Sequence, residues 1–158
     1  MSKSSESPYS YETLFSNNHI KSTQILEMIK QKRFNEILDG IGHIKDNSII
    51  IEFKFLKYFS MPVTHDLITS HMDQITSDIT AKYETFNVHL NLQSFSIADA
   101  DKHSSYCKSI NAYFAEKYPD KLNICYVYNA SFVFETIFKI AKVFIDKDTL
   151  EKLVLVKK

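Results

Sequence analysis

The sequence predicts an α/β domain, with a mostly parallel or mixed sheet of about four to five strands covered by helices. Three observations predict it. Apolar residues recur by turns at spacings of two and of three to four, so strands and helices alternate along the chain. The 158 residues carry 44% apolar and 24% charged side chains, an ordinary globular balance that supports one core. Neither an internal repeat nor a low-complexity block interrupts the alternation, apart from a serine-rich start. The expected organisation is a flexible tail over 1–20 and a single domain over 21–158, itself divided into an N-terminal helical region (21–47) and an α/β core (48–158).

The elements follow in order. Six serines in the first sixteen positions mark the tail, which Tyr9, Tyr11, Leu14 and Phe15 could dock locally. A helix is expected from Ser22, with Ile25, Leu26, Ile29, Phe34, Ile37 and Leu38 on one face and "DGIG" as its stop. "SIIIEFKFLKYF" (48–59) reads as a strand, β-branched at first and then alternating Phe53 and Phe55 against Glu52 and Lys54. Pro62 and Thr64 open a helix whose inner face holds Leu67, Ile68, Met72, Ile75 and Ile79. "TFNVHLNL" (85–92) is a second strand by strict alternation. Ser96 has the spacing of an N-cap to Asp99, and the helix it opens ends at Pro119, with Ala100, Tyr106, Cys107, Ile110, Tyr113 and Phe114 inward. "LNICYVYN" is the third strand. A helix over 131–145, a short helix at "KDTLEKL" and a last strand "LVLVKK" complete the chain.

Composition excludes several functions. Lys plus Arg and Asp plus Glu number 19 each, so no basic footprint for nucleic acid or an anionic membrane exists. Two glycines cannot build a phosphate-cradling loop. Two cysteines form no disulfide framework and point to a reducing, cytoplasmic compartment. The N-terminus lacks a signal-peptide apolar region, and no run of about 18 apolar residues offers a membrane span.

Candidate chemistry is equally sparse. Asp99, His103 and Cys107 share a helix stripe, yet no further ligand pair completes a zinc set, so Cys107 reads as a small core residue and His103 as a solvated one. Cys125 lies in an apolar strand where burial raises a thiol pKa instead of activating it. The carboxylate pairs Asp99/Asp101 and Asp146/Asp148 sit near helix starts, where capping explains them. No metal, cofactor or catalytic residue is expected. The helix over 131–145 stands apart. Phe134, Ile137, Phe138, Ala141 and Phe144 form one stripe, and Phe132, Val133, Ile140, Val143 and Ile145 widen it to most of the circumference. Such a helix is either deeply buried or faces an apolar ligand.

The order of residues from 118 to 156 resembles the CRAL-TRIO domain of the cellular phosphatidylinositol-transfer proteins. That family runs Tyr-Pro-Glu-Arg, a strand ending Asn-Ala-Pro, a Phe-rich gate helix, Phe-Leu-Asp-Pro, then Thr-Val-x-Lys-Ile and a strand. The matches here are Tyr118, Pro119 and Asp120; Asn129 and Ala130; Phe134, Phe138, Lys142 and Phe144; and Asp146, Thr149, Lys152 and Leu153. "HLNLQSFS" upstream is similar to the family's strand and loop, so the resemblance covers about 86–156. It implies a lipid or other small hydrophobic ligand held between a sheet floor and the gate helix, with Phe134, Ile137, Phe138, Ala141 and Phe144 against it. It implies that Asp120 and Lys152 hold an inositol phosphate. Phe86 and Val88 replace the hydroxyl pair that reads choline, so a phosphoinositide type is expected over a choline lipid. Lipid transfer and transient peripheral membrane contact are implied too. Ser131, Val143 and Lys147 stand where the family has prolines, Ser94 where it has a glycine and Asn91 where it has an acidic residue. A chain of this length leaves little wall around a pocket, so the interior is expected to be reduced or filled. The alternative reading is a module of the same fold that binds a protein, such as a small GTPase or its regulator.

Overall fold

The structure, a computed structural model, describes residues 3–4, 10–130, 138–139, 142 and 147–156. Its centre is a mixed sheet in the order β1-β6-β5-β4-β3-β2, formed by β1 (Lys3–Ser4), β2 (Gly42–Lys45), β3 (Ser48–Glu52), β4 (Phe86–Asn91), β5 (Leu122–Tyr128) and β6 (Leu153–Leu155). β2 runs antiparallel to β3, and every other neighbouring pair is parallel. The helices among the described residues are α1 (Tyr11–Leu14), α2 (Ser22–Lys30), α3 (Phe34–Ile41), α4 (Phe53–Phe59), α5 (His65–Lys82), α6 (Ile97–Lys117) and α7 (Lys147–Glu151). The four expected strands form the parallel centre, and β1 and β2 add an edge on each side.

Three local expectations are corrected. The helix from Ser22 is two helices, because the chain turns at Lys32, whose φ of 60° lies in the left-handed region. "DGIG" stops the second of them as expected, at Ile41 with Gly42 as its C-cap: Gly40 lies inside α3, where a Cβ would stand 2.7 Å from the Phe55 ring, and Gly42 also starts β2, which pairs with β3 across an Asp46-Asn47 turn with Asp46 at φ 54°. That hairpin was legible in principle, since an Asx pair between apolar runs suits a two-residue turn. The expected strand over 48–59 stops at Glu52, and α4 follows. Phe55 and Phe59 lie one helical turn apart, and both enter a core built with Ile25, Met28, Ile37, Ile41 and Ile68. Lys54, expected to face solvent, is buried with its ammonium donating to the backbone carbonyls of Asn18 and Ile20 at 2.5 and 2.6 Å.

The start of the chain docks through Tyr11, Leu14 and Phe15, as the sequence allows. A tail over 1–20 was expected, but residues 10–15 form a capped helical turn. Ser10 accepts from the Thr13 backbone at 3.2 Å, and Leu14 and Phe15 are buried against Ile50, Tyr126 and Tyr128. This segment covers one face of the sheet. α5 and α6 stand over the other.

Candidate functional site

The two faces of the central strand β4 carry opposite residues, as alternation requires. Their burial is the reverse of the usual pattern. His89 and Asn91 are 0% and 2% exposed, whereas Val88 and Leu90, between the buried Phe86 and Leu92 of the other face, are only half-buried although β3 and β5 flank them. The polar face lies beneath the N-terminal segment. Tyr11 Oη accepts from Asn91 Nδ2 and from Asn129 Nδ2, both at 3.0 Å, and Asn129 Nδ2 also donates to Asn91 Oδ1 at 2.7 Å. His89 Nδ1 pairs with Tyr128 Oη at 2.8 Å.

The apolar face looks into a cavity of about 620 Å³. Ile49 and Ile51 of β3, Val88 and Leu90 of β4, Val127 of β5 and Leu153 of β6 form its floor. Ile68 and Met72 of α5 and Tyr106, Cys107, Ile110 and Phe114 of α6 form its walls. Ile41, Phe53, Leu92 and Phe95 close the end beyond the C-termini of the parallel strands. The interior is therefore not filled. Ala100 packs inward as the sequence predicts, but Tyr106, Cys107, Ile110 and Phe114 are only half-buried, and Tyr113 is exposed. They face an opening instead of a core.

Polar contacts fix the wall that α5 and α6 make over the opening. Tyr106 stacks on His65 at 3.8 Å between ring centres, and its hydroxyl pairs with Thr69 Oγ1 at 2.8 Å and donates to the His65 carbonyl at 3.2 Å. Further along, Tyr118 Oη donates to Asp73 Oδ1 at 2.6 Å and Lys117 Nζ pairs with Asp73 Oδ2 at 2.8 Å. Hydrogen bonds from Lys117 and Tyr118 hold the Asp73 carboxyl below its ordinary pKa. These contacts are distance-specific, so they tie α6 to α5 at a fixed spacing.

The other end of the cavity carries charge. Asp120, Asp148, Thr149 and Lys152 line it where β5 and β6 begin. Asp120 follows Tyr118-Pro119 with φ 60°, a left-handed conformation that aspartate tolerates better than most residues. Lys152 opens β6. Its carbonyl accepts from Cys125, and its ammonium pairs with Asp148 at 3.3 Å. The structure thus brings the two sequence-predicted headgroup residues to one rim. Phe138 also lines the cavity, with Lys142 Nζ 5.1 Å from its ring centre. Phe134, Ile137, Ala141 and Phe144 lie outside the described residues.

Sequence reasoning missed Asp148 and Thr149 as rim residues, and Tyr106 and Tyr118 as ties between α6 and α5. The signal for Tyr118 was present, because it belongs to the Tyr-Pro pair. His103 is corrected: it is 5% exposed, packs edge-on to Phe53 at 6.0 Å, and burial lowers its pKa. Burial raises the Cys107 thiol and pushes Cys125 up to about 12, so both hold their protons at neutral pH. Asp99 acts as a cap, exchanging hydrogen bonds with Ser96 and pairing with Lys57 at 3.2 Å. Burial pushes its carboxyl up, but the Ser96 and Lys57 contacts outweigh that and leave it below the ordinary value. Among the described residues no three His, Cys, Asp or Glu side chains gather as a metal site, and no helix is long and apolar enough to cross a membrane.

Comparison with known proteins bears on this arrangement. The profile of the CRAL/TRIO domain matches residues 45–158. The crystal structure of Sfh5 is similar in fold, with a TM-score of 0.62 at 17% identity over 93% of this chain and 61% of that one. The chain therefore spans about three-fifths of the length of Sfh5. No curated protein sequence matches.

Proposed function

The chain belongs to the CRAL/TRIO domain family, and we propose that it binds a lipid in the cavity over its sheet without catalysing a reaction, taking a phosphoinositide-type headgroup in preference to choline. The observation that carries this reading is the inverted burial of β4. A central strand that hides His89 and Asn91 while leaving Val88 and Leu90 open to an apolar cavity has kept its greasy face for a ligand. Family membership supports binding of a lipid or other small hydrophobic molecule.

The rim supports the headgroup preference. Lys152 offers a compact donor for phosphate oxygens, and the Asp120 carboxylate accepts from ring hydroxyls. Phe86 and Val88 present no hydroxyl where a choline lipid would be read. Binding requires the Lys152 ammonium to turn from Asp148 toward the phosphate, which exchanges one charge-assisted contact for another. Exchange of lipid with a membrane, in the cytoplasm, fits a domain that binds without reacting. The cavity weighs against a module whose filled interior merely presents a surface to a small GTPase or its regulator.

The test is incubation with liposomes, recovery of the protein, and mass spectrometry of the lipid it carries, beside a vesicle-to-vesicle transfer assay. Protein that carries and transfers no lipid would end the proposal. Lys152→Ala should weaken phosphatidylinositol binding about 10- to 100-fold, the worth of a hydrogen bond to a charged group, and leave the melting temperature unchanged. Unaltered affinity would remove Lys152 from the site.

A further inference from the structure

We infer that Asp148 is the release partner of the bound headgroup: its carboxylate takes back the Lys152 ammonium as the lipid phosphate leaves, and so sets how fast lipid is given up to a membrane. This rests on the lipid-binding reading above and deepens it. By position alone Asp148 is a carboxylate at a helix start, where it complements the helix. In the fold it stands four residues ahead of Lys152 with its Oδ2 3.3 Å from Nζ, and both residues line the cavity. Among the described residues Lys152 forms its ion pair with Asp148 and not with Asp120, which leaves Asp120 for ring hydroxyls.

The backbone fixes where Lys152 acts. Its N–H donates to the Thr149 carbonyl at 3.0 Å, and its carbonyl accepts from the Cys125 N–H at 2.9 Å. α7 and β5 thus hold the residue from both sides, and the side chain is the part left to turn. Exposure of the two partners decides what each turn costs. The Lys152 side chain is 25% exposed and that of Asp148 is 68% exposed. The carboxylate keeps most of its water when the ammonium swings to a phosphate, so little is lost on binding. The ammonium is poorly hydrated and needs a counter-charge in both states. A phosphate departing from a lone ammonium would leave that charge unpaired and raise the barrier to release. With Asp148 in reach, one charge-assisted contact forms as the other breaks. The exchange loosens the headgroup without removing the cation that recognises it.

Stopped-flow fluorescence of pyrene-labelled phosphatidylinositol leaving the loaded protein for phosphatidylcholine vesicles tests this. Asp148→Asn should slow release about two- to fivefold, the range that an exposed ion pair spans. It should tighten equilibrium binding by the same factor and leave the melting temperature unchanged. Asp148→Glu keeps the charge and should release lipid as the unaltered protein does. In a Lys152→Ala background, Asp148→Asn should change nothing, because the ammonium it serves is gone. Release from Asp148→Asn that is as fast or faster overturns the inference and leaves the lipid-binding reading standing. Slowing that persists without Lys152 also overturns it, since the carboxylate would then act by repelling the phosphate directly. Protein that takes up no phosphatidylinositol overturns both.

Discussion

Two buried titratable residues on the covered face of the sheet pull stability in opposite directions with pH. Glu52 is 1% exposed, its carboxyl oxygens have no hydrogen-bond partner, and burial, partly offset by Lys54, raises its pKa to about 7. Below the ordinary value of 4.5 it is protonated folded or unfolded and costs nothing. As pH rises toward 7 the unfolded chain gives up the proton first, and about 3 kcal/mol of stability is lost. His89 is the mirror case. Burial lowers it from 6.5 to about 4, so about 3 kcal/mol is lost as pH falls through that window. The two slopes nearly cancel in the native protein. Denaturant titrations of single variants should separate them: Glu52→Gln should leave stability rising between pH 4 and 6.5, and His89→Asn should leave it falling between pH 4.5 and 7. Parallel slopes in both variants would refute the assignment.

At the scale of the element, α6 shows how a helix can be specified without a packed inner face. Its start is set locally by the reciprocal Ser96–Asp99 capping box, and its end by Pro119. Ser96→Ala should lower stability by about 1 kcal/mol in urea denaturation, the usual worth of such a cap. Its position is set by hydrogen bonds from Tyr106 and Tyr118 to α5. Tyr118→Phe should therefore change ligand affinity, as the wall loses its tie to α5, by more than it changes the unfolding midpoint. A larger stability loss than affinity loss would show that Tyr118 acts only in folding.

For the whole molecule, the two faces of one sheet divide the work. Leu14, Phe15, Ile50, Tyr126 and Tyr128 form a packed core on one side, and the other side stays open as the cavity. The N-terminal segment supplies part of the packing on the covered face. Phe15→Ala should cost about 3–5 kcal/mol by calorimetry, as for other large aromatic deletions in a core. A change below 1 kcal/mol would mean that this segment is dispensable.

The sequence by itself determined the strands and helices whose signals are local: alternation in β4 and β5, the Ser96 cap, the proline stop and the Tyr-Pro motif that sets Asp120 at a strand start. It misread 48–59, because Phe53 and Phe55 are two apart in an apparent alternation while the pair that matters in the fold is Phe55 and Phe59. Only the tertiary structure decided which apolar faces are covered. Periodicity reports that Val88, Leu90, Tyr106 and Ile110 lie on apolar faces; it does not report what stands opposite them. The same limit hid the burial of His89, since the Tyr128 it pairs with is packed by Phe15, which arrives from far earlier in the chain. Whether an apolar face becomes core or cavity is set by long-range contacts, among them the hydrogen bonds that fix α6 on α5, and the local pattern carries no record of them.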